Sequence, residues 1–197
     1  MKKGVKNVTS VVIRNVNYMS IYTKKGDKGT TSLFNPALYK EKRIPKSAQR
    51  IRVIGEIDEL NSFLGIISSK IRNKDTKKFI IKIQKNLFTI NAVIAGAKLS
   101  FKNEETKFLE KKIDKIEKLL PPLKNFIIPG GDTLASEVMY ARTIARRAER
   151  ELVALSKKEK VKPSLLKYIN RLSDALFMVS RNINFAKGKK ETPWKPR

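Results

Sequence analysis

The sequence predicts an all-α protein, a bundle of five amphipathic helices. Three observations carry that prediction. Apolar residues recur at steps of three and four through five separate stretches. Breakers separate the later stretches: Pro121-Pro122, then Pro129-Gly130-Gly131, with Pro163 opening the last. The linkers are short, as between the helices of a bundle. The chain of 197 residues fits one domain, and 41% hydrophobic residues suffice for a sizeable core at this length. No apolar run approaches the roughly 18–20 residues that cross a bilayer, so a soluble protein is expected.

Taken in order, residues 1–20 form an N-terminal arm without an acidic residue. Its segment "VTSVVIRNVNYM" (Val8–Met19) alternates loosely, as a short strand or arm does. A single Arg makes a weak transit peptide, and Met19 is an alternative start to Met1. The expected location is cytoplasmic, with a mitochondrial targeting role for the arm left open. Next comes "TKKGDKGTTS" (Thr23–Ser32), dense in glycine, lysine and hydroxyl groups. It lacks the Walker A spacing. Gly26 and Gly29 still allow backbone N–H groups to converge as an anion nest, with Lys24, Lys25 and Lys28 adding charge; a plain turn is the other reading.

The first helical stripe runs through Ile54, Ile57, Leu60, Leu64, Ile67 and Ile71, and the second through Phe79, Ile83, Leu87, Ile90, Ile94 and Ala97. Leu109, Ile113, Ile116 and Leu120 mark a shorter third helix that Pro121-Pro122 stops. Leu134, Val138, Ala141, Ala145, Ala148, Leu152 and Leu155 mark the fourth, with Asp132 or Thr133 as its cap. Leu165, Ile169, Leu172, Leu176, Val179 and Ile183 mark the fifth.

Composition removes several chemistries. The chain has neither Cys nor His, which excludes disulfides, thiolate nucleophiles, zinc sites built on these residues and any His-based triad. Lys and Arg total 44 against 18 Asp and Glu, a formal charge of +26. Such a field favours anionic partners, although a lysine-coated surface gives the same balance. A basic nucleic-acid-binding module is one reading of it, served by lysine clusters at residues 40–52 and 187–197. Against it stand an aromatic content of only 8% and the lack of a groove-reading motif.

Three helices carry polar residues that a bundle does not need. In "ARTIARRAER" (Ala141–Arg150), Arg142, Arg146 and Arg150 share one face at i, i+4 and i+8. Arginine in a lysine-rich chain points to planar, bidentate recognition of phosphate oxygens. A solvated charged face is the plain alternative. In "YINRLSDALFMVSR" (Tyr168–Arg181), Asn170, Ser173, Asp174 and Arg181 lie near one flank; Asn and Ser are poor interior helix residues, which suggests hydrogen-bonding work. In "IGEIDELNSFLG" (Ile54–Gly65), Asp58 interrupts the apolar side, as an exposed acid or as an arginine's buried partner, and Gly55 and Gly65 suggest close backbone approach.

Together "IYTKKGDKGTTS", "RIPK" (Arg43–Lys46), "GEIDELNSFLG", "FIIPGG" (Phe126–Gly131), "ARTIARRAER" and "YINRLSDALF" resemble, in order, the motifs of the PduO-type ATP:cob(I)alamin adenosyltransferases. The resemblance implies a five-helix bundle with ferritin-like up-and-down packing over residues 21–186, an N-terminal nucleotide-binding loop, and a basic tail at 187–197. It implies a homotrimer with active sites between subunits, and a reaction in which cob(I)alamin attacks the 5′ carbon of ATP and triphosphate leaves. Mg²⁺ accompanies the ATP; a cob(II)alamin reductase and an adenosylcobalamin-dependent mutase are the implied partner enzymes. By position, ATP is held through Thr23, Lys24, Lys25, Gly26, Thr31 and Ser32, with Lys46 on the phosphates. Arg146, Arg147, Ala148, Glu149 and Arg150 line the nucleotide, and Asn170 completes the site. Asp58 pairs with Arg142 across the subunit interface, and Phe126 presses on the lower corrin face, keeping the axial base off cobalt. No residue is implied as a metal ligand. The chain departs from the family at Met139, where a histidine is frequent, and at Ser47, where an acid is frequent. Trp194 in the tail reads as a loose residue or as an apolar lid over the corrin. A bundle that binds ATP or corrinoid without turnover is the remaining alternative.

Overall fold

The structure, a computed structural model, describes residues 22–35 and 43–196. The N-terminal arm, and with it Met19, lies outside the described residues. Five helices make up the body: α1 (Gln49–Lys70), α2 (Lys74–Ile94), α3 (Glu104–Glu117), α4 (Thr133–Ser156) and α5 (Pro163–Ala186). Each follows a stripe read in the sequence. Four short strands accompany them, β1 (Thr30–Thr31) with β2 (Ile44–Pro45) and β3 (Ile127–Ile128) with β4 (Thr192–Pro193), both pairs antiparallel.

Local chemistry sets the helix ends. The Asn73 side chain accepts the Thr76 N–H at 2.9 Å and starts α2. Asp132 does the same for Leu134 at 2.9 Å, so the cap of α4 is Asp132 and not Thr133. Pro163 sits in the first turn of α5, where its missing N–H is harmless.

Side-chain pairs across the bundle fix the directions. Gln49 bonds Glu151 while Lys70 pairs with Glu137, so α1 and α4 are antiparallel. Asn170 bonds Glu149 while Asn184 bonds Gly130, so α4 and α5 are antiparallel. Gln84 and Asn91 of α2 reach the Asn61 and Ile54 carbonyls of α1, again antiparallel. The result is up-and-down packing. The core holds Val53, Ile57, Leu64, Leu87, Ala148 and Leu172, all fully buried. Tyr168 lies within it; burial raises the pKa of its phenol, whose oxygen accepts from Asn86 at 3.2 Å.

Three sequence expectations need correction. Asp58 does not interrupt the core face: Ile57 and Leu60 point inward, and Asp58, one position on, is exposed. A Cβ at Gly55 would meet nothing within 4 Å, so no backbone among the described residues packs against it. Nor is the tail loose. β4 pairs with β3, and the Trp194 N–H donates to the Phe126 carbonyl at 2.7 Å.

Candidate functional site

The N-terminal loop is shaped by two backbone devices and one arginine. Lys24 and Gly29 take positive φ, 57° and 74°, and the Asp27 and Gly29 N–H groups close turns onto Lys24 and Gly26. Those two donors are therefore spent inside the loop rather than turned to an anion nest. β2 then brings Arg43–Lys46 against it, with the Lys46 N–H on the Gly29 carbonyl at 2.8 Å. A Cβ at Gly26 would lie 3.3 Å from Lys46 Nζ, so glycine there lets the ammonium settle against the loop. Thr23, Lys24, Lys25, Ser32 and Lys46 are exposed, and Gly26 and Thr31 are half-buried. The expected ATP-loop residues and Lys46 thus share one surface.

Arg43 is the residue that reading by position missed. Its Nε donates to Thr30 Oγ1 at 2.9 Å, its Nη1 to Ser32 Oγ at 3.1 Å, and its Nη2 to the Lys25 and Thr30 carbonyls at 2.6 and 2.9 Å. One planar fork spans both limbs of the loop. The signal was visible: an arginine three residues before Lys46 in a chain that otherwise prefers lysine.

A groove of about 760 Å³ lies along the bundle where α5 separates α3 from α4. Arg142, Arg146, Phe126, Asp174 and Ser173 line it. Phe126 stands at its edge with 80% of its surface exposed, more than any other large apolar residue among the described residues. Arg142 is half-buried, and its Nε is buried without a hydrogen-bond partner. Burial first, and the neighbouring Arg146 second, pull its pKa below the usual guanidinium range. Such a group calls for an acid or an anion from beyond the described residues.

The other expected site residues separate. Glu149 accepts from Asn170 Nδ2 at 2.7 Å, so those two meet on the α4–α5 seam. Arg150 is exposed and donates back to the Arg146 carbonyl at 3.2 Å. Arg147 points elsewhere, pairing with Glu56 and Glu59 of α1, whose carboxylates raise its pKa. Ala148 is fully buried in the core and presents no side chain to a ligand. Arg181 leaves the flank of Asn170 and Asp174 and turns inward, 5% exposed, onto Glu191. Asp58 forms no ion pair among the described residues, and no residue of the loop lines the groove.

Comparison with known proteins places this geometry in context. A family model described as cobalamin adenosyltransferase matches residues 21–183. The chain is similar to a corrinoid adenosyltransferase of Bacillus subtilis, with 39% identity over 178 residues, 86% of this chain and 89% of that protein. It is also similar to the corrinoid adenosyltransferase PduO of Citrobacter freundii, 39% identical over 170 residues and 83% of this chain; the chain spans only 49% of that longer relative. A solved variant of a PduO-type ATP:corrinoid adenosyltransferase from Lactobacillus reuteri, complexed with cobalamin and ATP, superposes with a TM-score of 0.83 at 36% identity, covering 89% of this chain and 97% of that one.

Proposed function

From the premise that the chain belongs to the cobalamin adenosyltransferase family, we propose how its own residues divide the work. The activity is that of an ATP:corrinoid adenosyltransferase: the 5′-deoxyadenosyl group of ATP moves to the cobalt of the reduced corrinoid. Atoms balance simply. A cobalt–carbon bond forms at C5′, the C5′–oxygen bond breaks, and its electron pair leaves with triphosphate. Cobalt is the nucleophile, so a chain without Cys or His lacks nothing the reaction needs.

The protein's share is to bind, orient and stabilise charge. Thr23, Lys24, Lys25, Gly26, Thr31 and Ser32 hold the nucleotide, with Lys46 on its phosphates. Arg146 and Arg150 meet the charge that grows on the leaving group, and Asn170 with Glu149 bounds the site. Phe126 gives the corrin an apolar face and excludes an axial base. Mg²⁺ would accompany the triphosphate, whose oxygens are the hard ligands it prefers. The observation that carries this reading is the meeting of Phe126, Arg142 and Arg146 in one groove.

The loop and the groove belong to different subunits of a homotrimer in this reading. The loop's absence from the groove lining, the unpartnered Arg142 Nε and the exposed Asp58 all support it. Sedimentation equilibrium giving a monomer at working concentration would overturn the shared site.

The decisive assay is anaerobic absorbance. Protein, chemically reduced cob(I)alamin, Mg²⁺ and ATP should lose the Co(I) band as adenosylcobalamin forms. Binding of both substrates without turnover would leave a carrier or sensor instead. No helix among the described residues is long and apolar enough to cross a membrane, and the partner enzymes in this reading are a reductase that supplies Co(I) and an adenosylcobalamin-dependent enzyme, such as a mutase, that uses the product.

Arg43→Ala should raise the KM for ATP about tenfold while kcat changes less, because it removes the loop's brace and no contact made only in the transition state. An unchanged KM would show that the loop holds its shape without that arginine.

A further inference from the structure

Phe126 is 80% exposed, so little packing among the described residues holds its ring. Its backbone must therefore be placed by other means. Among the described residues the strand after it, β3, pairs only with β4, through Ile127 against Pro193 and Ile128 against Thr192. A two-residue ladder is weak by itself.

A buried arginine reinforces it. The Arg181 guanidinium, on α5, donates from Nε to Glu191 Oε1 at 2.7 Å and from Nη2 to Glu191 Oε2 at 3.0 Å. The same Nη2 donates to the Pro121 carbonyl at 3.1 Å. Pro121 opens the segment that leads to Phe126, and Glu191 immediately precedes β4, after which the Trp194 N–H donates to the Phe126 carbonyl. One side chain thus ties down the chain before Phe126 and the strand beside it. Both oxygens of Glu191 are used, the bidentate geometry that gives an Arg–carboxylate pair its directional strength.

We propose that Arg181 and Glu191 are positioning residues for the adenosyl transfer, locking the C-terminal strand so that Phe126 stands at a fixed depth in the groove. The inference rests on the reading of Phe126 as the corrin-facing residue. Neither Arg181 nor Glu191 touches substrate in it. Their contribution is geometric, and a misplacement near 1 Å at a reacting centre lowers rate up to about a hundredfold.

The test uses the full chain with Glu191→Gln, which removes the carboxylate at a tail position outside the bundle and truncates no core side chain. The protein's single tryptophan is Trp194, immediately after β4, so its emission reports docking of the tail. The expected result has three parts. Trp194 emission shifts to the red and its quenching by acrylamide rises. Turnover falls about tenfold or more, while the KM for ATP stays within about twofold because the loop is untouched. Cob(II)alamin bound in the presence of ATP regains the spectroscopic signature of an axial nitrogen. An undocked tail with unchanged turnover would overturn the positioning role, and a tail that stays docked with unchanged turnover would overturn the latch. Absence of turnover in the unmodified chain would overturn the adenosyl-transfer reading, and this inference with it.

Discussion

Replacing Arg146 with alanine is expected to lower turnover about 10²–10³-fold, the range lost with one preorganised donor to a developing anion. The side chain is exposed on the groove wall, and its guanidinium makes no ion pair among the described residues. It therefore contributes little to folding, and unfolding free energy should stay within about 0.5 kcal/mol of the parent. That separation distinguishes Arg146 from Arg147 beside it, whose guanidinium bridges Glu56 and Glu59 and belongs to the α1–α4 contact. The effect should fall on kcat and kcat/KM together, since the triphosphate charge that Arg146 is proposed to meet is largest as the C5′–oxygen bond breaks. Single-turnover absorbance of adenosylcobalamin formation measures it. A rate within threefold of the parent would remove Arg146 from the transition state and return weight to a solvated charged face.

Gly131→Ala is the second large effect, and it acts on stability. Gly131 has φ 105°, where a side chain is strained. A Cβ there would overlap Asn184 Oδ1 and stand 2.8 Å from its Cγ. Asn184 cannot swing away without loss: it is buried, its Nδ2 donates to the Gly130 carbonyl at 2.9 Å, and its Oδ1 accepts the Asp132 N–H at 2.9 Å. Backbone strain of about 1–2 kcal/mol and two hydrogen bonds at about 1 kcal/mol each give roughly 3 kcal/mol. For a chain of this length that lowers Tm by roughly 6–12 °C. Gly130→Ala is the internal control. A Cβ at Gly130 meets nothing within 4 Å, and its φ is not positive. Equal melting temperatures for the two variants would dismiss the Asn184 clamp.

Much of this architecture was readable from residue spacing, and the misses share a cause. The five stripes specify five helices because a 3.6-residue period has no other stable meaning over such lengths. The start of α1 was less legible. It begins at Gln49, before the first stripe residue, and Arg50 in its first turn is held by the Ile94 carbonyl and Glu159, partners far away in sequence. The short strands were illegible for the same reason: Thr192-Pro193 has no alternation to read, and only contact with β3 makes it a strand. Within the site, Arg142 and Arg146 stood out as arginines one turn apart. Arg43, Arg181 and Asn184 did not acquire their roles until folding brought Thr30, Glu191 and Gly131 beside them.

A loop that does not line its own groove also bears on how defects are inherited. In a homotrimer built as proposed, each working site draws its loop from one copy of the chain and its groove from another. Two alleles, one damaged at Lys46 and the other at Arg146, would then complement each other: mixed trimers include junctions where an undamaged loop faces an undamaged groove. Two alleles damaged at the same half could not. The division of labour between the loop and the groove would set which pairs of mutations a cell survives.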